Sequence, residues 1–205
     1  MAPRDGRCKV NMKDISLIGF MGCGKSSVGK ILATLLPECR LIDLDTYIEE
    51  KQGKNIPEIF NEYGEAAFRR MEREALEEIF SDKSRPRAIL SLGGGTVTSE
   101  QCRQLIRQHT DCFYLRATTD TLLDNLEGHS DGRPMLNPTQ PVEAQSTETS
   151  SEREALRHRI ESLMQTRSPQ YLATANHIID IDGLSFAQIA EIIKEAVEAN
   201  SLNIK

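Results

Sequence analysis

The sequence predicts an α/β fold, a three-layer sandwich in which a central parallel sheet of about five strands lies between two layers of helices. Two observations lead to this prediction. Five short apolar runs alternate along the chain with longer segments whose apolar residues recur at helical spacing. Strands connected through helices run parallel, and the helices then cover both faces of the sheet. The length of 205 residues suits a single domain of this kind.

Composition and charge exclude several classes of protein. Hydrophobic residues make up 39% of the chain and charged residues 27%, as in ordinary folded proteins. The net charge of -6 gives no electrostatic reason to bind nucleic acid or a membrane surface. Five cysteines without a C-x-x-C pair indicate reduced thiols rather than a disulfide framework or a zinc site. We therefore expect a cytoplasmic monomer with no nucleic-acid or membrane partner.

The first strand, predicted at residues 15–18, leads into a glycine-rich loop. Gly19, Gly24, Lys25 and Ser26 occupy the fixed positions of the pattern G-x-x-x-x-G-K-[ST]. Glycines allow backbone N–H groups to converge on phosphate oxygens at a helix N-terminus. Lys25 would reach the outer phosphates, and the Ser26 hydroxyl would bind Mg²⁺. The alternative is a turn without a ligand, but the flanking strand and helix favour nucleotide binding. The apolar face of that helix consists of Val28, Ile31, Leu32, Leu35 and Leu36.

The second strand, predicted at residues 40–45, ends in two carboxylates, Asp43 and Asp45. Polar groups of a buried parallel strand belong at its C-terminal edge, where ligands bind in open α/β sheets. Because alternate residues of a strand share a face, both carboxylates can serve one site, one near a metal and the other near a hydroxyl group. The alternative is that Asp45 caps the helix predicted at residues 46–52.

Two helices are predicted next, at residues 56–63 and 65–80, with Gly64 between them. The residues of the second helix expected to face the core are Ala67, Met71, Leu76 and Ile79. Its polar face would carry Glu65, Arg69, Arg70, Glu72, Arg73 and Glu74. Arg69 is a candidate anion ligand because it lies close in sequence to the carboxylate pair. A solvated surface charge is the alternative.

The third strand, predicted at residues 88–92, is followed directly by Gly93, Gly94 and Gly95. Three residues without side chains at a strand end allow backbone N–H groups to approach a ligand closely. Ser99 is a candidate N-cap for the helix that follows.

The remaining elements continue the alternation of strands and helices. Strands are predicted at residues 112–115 and 177–181, and helices at residues 118–127, 152–175 and 185–199. The residues of the last helix expected to face the core are Phe186, Ile189, Ile192, Ile193 and Val197.

Residues 14–200 are expected to form one domain. Two regions of the chain are expected to lack regular structure. Residues 1–13 are basic but contain no apolar segment typical of a secretory signal, so we interpret them as a disordered extension. Residues 128–151 are rich in Gly, Ser, Pro, Thr and Gln, and we interpret them as a lid because loops of that length are typically functional. Arg133 precedes a proline in this lid, and Arg167 precedes Ser-Pro in the next helix. Each of these arginines alone would be an ordinary surface residue.

The candidate groups are all expected at the C-terminal edge of the sheet, and their sequence context closely resembles the shikimate kinase family. The resemblance is carried by the segments Gly19–Ser27, Asp43–Asp45, Phe68–Glu72, Ser91–Gly95, Arg133–Leu136 and Arg167–Tyr171. The phosphate loop alone is common to very many NTPases, whereas the combination of all these segments is typical of far fewer proteins. The resemblance implies a P-loop NTPase fold of the nucleoside-monophosphate-kinase-like type.

This resemblance implies ATP-dependent phosphorylation of the 3-hydroxyl group of shikimate, in the pathway to chorismate and the aromatic amino acids. Asp45 would bind the shikimate hydroxyls and act as the catalytic base. Arg69 and Arg167 would hold the shikimate carboxylate. The backbone of Gly93, Gly94 and Gly95 would support that carboxylate. A guanidinium group suits this task because it pairs with a carboxylate through two parallel hydrogen bonds.

The resemblance also implies sites for ATP and Mg²⁺. The ATP site would consist of Gly22, Cys23, Gly24, Lys25, Ser26, Ser27 and Arg133. Lys25 and Arg133 would act on the transferring phosphoryl group, and Ser26 with Asp43 would bind Mg²⁺. Phosphoryl transfer depends mainly on positioning and charge stabilisation, which these residues can supply.

The sequence departs from the family pattern in two places. The family often has an arginine just before the lid that packs on adenine, but His129 is the only basic residue between Arg116 and Arg133. We therefore expect the backbone of residues 180–185 to hold adenine. The lid is also longer than is usual, and we interpret residues 137–150 as a disordered extension of it.

Two alternative functions remain open at this point. A related kinase could act on gluconate or a nucleoside monophosphate, although the triple glycine and the two arginines favour a small carboxylate acceptor. A regulatory nucleotide-binding module without turnover is the second alternative. The presence of Lys25, Asp43, Asp45 and Arg133 argues against it.

Overall fold

The structure, a computed structural model, describes residues 13–126 and 148–202. Strands and helices alternate along these residues. The strands are β1 (Asp14–Ile18), β2 (Arg40–Asp43), β3 (Ala88–Ser91), β4 (Thr110–Arg116) and β5 (His177–Asp180). The helices are α1 (Lys25–Leu35), α2 (Leu44–Gln52), α3 (Ile56–Ser81), α4 (Glu100–His109), α5 (Thr119–Leu126), α6 (Glu148–Thr174) and α7 (Phe186–Leu202).

The five strands form one parallel sheet in the order β2-β3-β1-β4-β5. The predicted parallel α/β fold is therefore confirmed. The chain leaves β1 towards one edge and later continues from β3 to β4 on the other side of β1. Such a reversal of strand order opens a crevice at the C-terminal ends of the strands. The register pairs Ser91 with both Leu17 and Asp43, so the ends of β1, β2 and β3 lie side by side.

Helices cover both faces of the sheet, which confirms the three-layer architecture. Alternate residues of β4 face opposite layers because side chains of a strand point alternately to its two faces. Phe113 and Leu115 pack with the apolar residues of α1 and α7. Cys112 and Tyr114 pack with those of α2, α3 and α4.

The boundary between β2 and α2 differs from the prediction. The strand ends at Asp43, whose side chain accepts a hydrogen bond from the Thr46 N–H and caps α2. Asp45 consequently lies in the first helical turn and is neither a strand residue nor the cap. Asp is a favourable N-cap residue, so the helix begins directly after Asp43 and the strand does not continue to residue 45.

The helices otherwise follow the prediction with two differences. The predicted break at Gly64 is confirmed, since the backbone there is non-helical (φ 76°, ψ 171°) and α3 consists of two helices that meet at this kink. The helix α6 begins at Glu148, four residues before the predicted start. On α7, Phe186 and Ile192 are each 41% exposed instead of buried. Ser99 caps α4 as predicted and accepts a hydrogen bond from the Cys102 N–H at 3.3 Å.

Several predictions fall on residues that the structure does not describe. Residues 1–12 of the expected extension and residues 128–147 of the expected lid, with Arg133, lie outside the described ranges. Within those ranges, no helix combines the length and the apolar character needed to cross a membrane.

Candidate active site

A cleft of about 530 Å³ lies at the C-terminal edge of the sheet. It collects residues from the loop after β1, from the ends of β2 and β3, and from α5 and α7. The predicted site residues that line it are Gly22, Gly24, Lys25, Ser26, Ser27, Asp43, Asp45, Gly93 and Gly94. The strand order accounts for this assembly, because β1, β2 and β3 end next to one another.

The loop after β1 has the backbone geometry of an anion site. Gly22 and Gly24 have φ angles of 85° and 87°, a backbone conformation that residues with a side chain rarely adopt. A Cβ atom on Gly24 would lie 2.5 Å from the ring of Phe186. Gly24 is the N-cap of α1, so the first N–H groups of this helix are directed towards the cleft with the positive end of its dipole.

Lys25 is held inside the loop. Its ammonium group donates hydrogen bonds to the Gly19 and Phe20 carbonyl oxygens at 2.9 and 3.0 Å. The Cys23 sulfur lies 3.7 Å from the same nitrogen and is fully buried. The Cys23 side chain is therefore part of the loop interior, so any contact of this residue with ATP is limited to its backbone.

Ser26 and Asp43, the predicted metal ligands, are hydrogen-bonded to each other. The Ser26 hydroxyl donates to Asp43 Oδ2 at 2.7 Å and lies 3.1 Å from the Ser91 hydroxyl. Carboxylate and hydroxyl oxygens are hard ligands of the kind that Mg²⁺ prefers, so this donor set fits the ion. The described residues contain no cluster of three His, Cys, Asp or Glu side chains suited to a metal. An ion held here would complete its coordination with phosphate oxygens and water.

Asp45 lies next to Gly93 in a cluster of oxygen atoms. A Cβ atom on Gly93 would lie 2.9 Å from Asp45 Oδ1, 3.0 Å from Glu72 Oε1 and 3.1 Å from Thr96 Oγ1. Burial raises the pKa of Asp45 to about 7, and the Glu72 and Asp43 carboxylates contribute to the rise while Lys25 opposes it. Asp45 is thus a stronger base than an ordinary aspartate.

Glu72 is a site residue that the sequence analysis placed on the polar face of its helix, and this placement was wrong. The side chain is completely buried. It accepts a hydrogen bond from Arg69 Nη1 at 2.6 Å and another from the Thr96 hydroxyl. Burial raises the pKa of Glu72, and Arg69 opposes that rise. The spacing of three residues from Arg69 was the available signal, since such pairs share a helix face.

Arg69 lies against the triple glycine and Arg167 lies over Phe20, and neither arginine is among the residues that line the cleft. A Cβ atom on Gly95 would overlap Arg69 Nη2, so the guanidinium rests against this residue. Arg69 also pairs with Glu65 at 2.9 Å. Arg167 is 3% exposed, and its guanidinium lies 5.8 Å from the centre of the Phe20 ring.

Each of these arginines has a buried nitrogen without a partner among the described residues. The atoms are Arg69 Nε and Arg167 Nη1. A buried donor left unpaired costs about 1–3 kcal/mol, so both groups can gain from an anionic ligand. A carboxylate, like a phosphate, matches the geometry of a guanidinium group.

The cleft is also lined by residues that the sequence analysis did not identify as site residues, among them Asn125 and Phe186. The Asn125 side chain donates to the Gly22 carbonyl oxygen at 2.9 Å. Phe186 follows the segment 180–185 and presents an exposed aromatic surface at the cleft. Its apolar character at helical spacing indicated a core residue, which is why its position was missed.

Comparisons with known proteins agree on one family. A family model described as shikimate kinase matches residues 21–198. A shikimate kinase of Thermus thermophilus is 35% identical over 184 residues, which cover 90% of this chain and 88% of that protein. The shikimate kinase of Chlorobaculum tepidum is 37% identical over 184 residues and 90% of each chain.

Solved structures give the same result. The shikimate kinase from Acinetobacter baumannii in complex with shikimate superposes with a TM-score of 0.76 at 29% identity, covering 95% of this chain and 96% of that one. The shikimate kinase from Bacteroides thetaiotaomicron also has a TM-score of 0.76, at 30% identity, covering 91% and 99% of the two chains.

Proposed function

This chain belongs to the shikimate kinase family, and on that basis we propose that it transfers the terminal phosphoryl group of ATP to the 3-hydroxyl group of shikimate. The product is shikimate 3-phosphate, on the way to chorismate and the aromatic amino acids. Kinases of this family are phosphotransferases with an alcohol acceptor. The roles of individual residues are part of the proposal.

The observation that carries the proposal is a pair of arginines, each with a buried nitrogen that has no partner among the described residues: Arg69 rests against Gly95, and Arg167 lies over the Phe20 ring. They supply a carboxylate site next to a phosphate-binding loop. Gluconate also has a carboxylate, and the phosphate of a nucleoside monophosphate can pair with guanidinium groups in the same way. Family membership therefore decides in favour of shikimate as the acceptor.

At the ATP end, the loop N–H groups and Lys25 bind the phosphates. The Lys25 ammonium would exchange the Gly19 and Phe20 carbonyls for phosphate oxygens, which bear more negative charge. Ser26 and Asp43 would hold Mg²⁺. When bound, Mg²⁺ supplies positive charge that stabilises the phosphoryl group during transfer.

At the acid end, Asp45 orients the acceptor hydroxyl and takes its proton as the bond to phosphorus forms. A base is most effective when its pKa lies near the working pH, and burial together with Glu72 raises the pKa of Asp45 to about 7. Arg69 and Arg167 fix the ring through its carboxylate. The contribution of Arg133 falls outside the described residues and stays a prediction.

A coupled assay with Mg-ATP tests the proposal. ADP release should require shikimate and should be negligible with gluconate or AMP. Transfer to gluconate or AMP but not to shikimate would assign the chain to another kinase activity. ATP binding without transfer to any of the three acceptors would instead favour a regulatory module.

Three finer features are also proposed. The enzyme requires Mg²⁺, acts as a monomer and works in the cytoplasm. Residues 14–200 form one domain, and the lid predicted at residues 128–151 is limited to the segment before α6, which begins at Glu148. Loss of turnover in EDTA with recovery on adding Mg²⁺ tests the first feature. Light scattering of the purified chain at micromolar concentration tests the second, and a mass of two chains would contradict it.

A further inference from the structure

Tyr171 is a buried residue of α6 that has no part in the proposed mechanism. Its side chain is completely buried, and its ring stacks on Tyr114 with the ring centres 5.0 Å apart. Its hydroxyl donates a hydrogen bond to the Gly94 carbonyl oxygen, 77 residues away in the chain. Burial raises the pKa of Tyr171, so this hydroxyl keeps its proton and remains a donor. A buried aromatic residue is thereby connected directly to the glycine turn.

The contact completes the hydrogen bonding of that turn. The Gly93 carbonyl accepts from the Thr96 N–H at 3.1 Å, and the Gly95 carbonyl accepts from the Thr98 N–H at 2.9 Å. Gly94 lies between them, and its carbonyl is bound by Tyr171. With all three carbonyls engaged by the protein, the orientation of the peptide groups in the turn is defined. Tyr171 supplies the only one of these three bonds that comes from a distant element.

Gly94 also packs against the phosphate loop. A Cβ atom on Gly94 would lie 3.1 Å from the Met21 nitrogen and 3.6 Å from the Gly19 oxygen. The Tyr171 hydroxyl also interacts with Arg167, one helical turn earlier on α6. The hydroxyl thus joins one of the two arginines of the carboxylate site to the backbone of the glycine turn.

We propose that the Tyr171 hydroxyl is a positioning group for the acid substrate, which fixes the Gly94 peptide and the Arg167 guanidinium relative to each other. The inference rests on the proposed function, since it assigns the substrate carboxylate to this site. Without the hydroxyl, the Gly94 carbonyl loses its partner and the turn can rotate. The carboxylate would then meet its ligands in poorer geometry. The phosphate loop, although Gly94 packs against it, would keep the Lys25 hydrogen bonds that hold it internally.

The variant Tyr171→Phe removes the hydroxyl and keeps the ring. Loss of one buried hydrogen bond is worth roughly 1 kcal/mol, so the KM for shikimate should rise about fivefold or more. The values of kcat and of the KM for ATP should stay within about twofold of the wild type. A purely structural hydroxyl would lower the Tm and leave the KM for shikimate unchanged, and that result would overturn the proposal.

Tyr114→Phe is the matched control. Tyr114 is equally buried and belongs to the same ring stack, but its hydroxyl interacts with Ser168 instead of the glycine turn. Its KM for shikimate should remain within about twofold of the wild type. Equal rises in both variants would point to loosening of the aromatic pair and would overturn the proposal.

The experiments distinguish a failure of the proposed function from a failure of the positioning role of Tyr171. If the wild-type chain does not phosphorylate shikimate, the proposed function is wrong, whatever the variants do. If the wild type is active and Tyr171→Phe has an unchanged KM, only the positioning role is wrong. Because KM does not depend on how much of a preparation is folded, a poorly stable variant still decides the question. A variant that yields no folded protein would show a structural role and overturn the inference.

Discussion

The Ser26 hydroxyl donates a hydrogen bond of 2.7 Å to the Asp43 carboxylate, although the two residues are 17 positions apart in the chain. This bond joins the phosphate loop to the end of β2. It places a hydroxyl and a carboxylate oxygen at the N-terminus of α1, where phosphate oxygens would complete the coordination of a hard cation.

Asp43→Asn should weaken the binding of Mg²⁺ without disturbing the fold. Asn caps helices about as well as Asp, so the cap of α2 is retained while the negative charge is lost. The Mg²⁺ concentration for half-maximal rate should rise by about tenfold or more, the scale of one charged ligand interaction. A titration of rate against Mg²⁺ at fixed ATP measures this, with the Tm as the control for folding. An unchanged titration curve would remove Asp43 from the metal site.

Asp45→Asn should lower kcat by at least about 10²-fold, because a positioned acid–base group contributes on that scale. Asn keeps the size of the side chain and can still bind the substrate hydroxyl, so the KM for shikimate should change much less than kcat. Steady-state kinetics at saturating Mg-ATP give both numbers. Normal turnover by this variant would show that the proton has another acceptor.

The same substitution should stabilise the ligand-free protein at high pH. Burial and the Glu72 carboxylate raise the pKa of Asp45 from 3.8 to about 7, so between these values the folded state holds a proton that the unfolded state has released. The free energy of unfolding therefore falls as the pH rises across this window. In EDTA at pH 8, Asp45→Asn should have a Tm higher than the wild type by about 2 °C or more. The difference should disappear near pH 4, and a difference independent of pH would contradict the raised pKa.

The parts of this site differ in how far the sequence could predict them. The phosphate loop was predictable because its glycines, Lys25 and Ser26 have fixed spacing and a strand–helix context. The boundary at Asp43 was not, since an aspartate after an apolar run can end a strand or cap a helix, and only its hydrogen bond with Thr46 decides. Glu72 was missed because a charged residue in a charged helix is normally exposed. Its burial depends on Arg69 and on Thr96, which belongs to a different element.

The spacing of apolar residues could not predict the exposure of Phe186 either. Its position at the start of α7 fits the apolar stripe, and Ile189 and Ile193 on that stripe are fully buried. As the first residue of α7, however, Phe186 has the phosphate loop and not the core as its neighbour. The spacing of apolar residues identifies which face of a helix is apolar, but it does not show which part of the protein packs against the first turn.

Phe186→Ala should raise the KM for ATP, because an exposed aromatic ring at the cleft can stack on a base. Stacking of this kind is worth about 1–3 kcal/mol, so a rise of about fivefold or more is expected, with the KM for shikimate nearly unchanged. Phe186→Leu is the matched variant, since it keeps apolar bulk over Gly24 but lacks the aromatic face. If Leu restores the wild-type KM for ATP, packing on the loop and not stacking is the function of this ring.

Arg69→Lys should chiefly raise the KM for shikimate, by about tenfold, with a smaller change in kcat. Lysine keeps a positive charge near the buried Glu72 carboxylate, which Arg69→Ala would leave unpaired, but it lacks the planar fork that binds a carboxylate through two nitrogens. Because carboxylate binding is similar in the ground and transition states, its loss appears in KM. Arg70→Ala, on the exposed face of the same helix, is the control and should behave as the wild type. If Arg69→Lys retained the wild-type KM while Tm fell, Arg69 would serve only to neutralise Glu72.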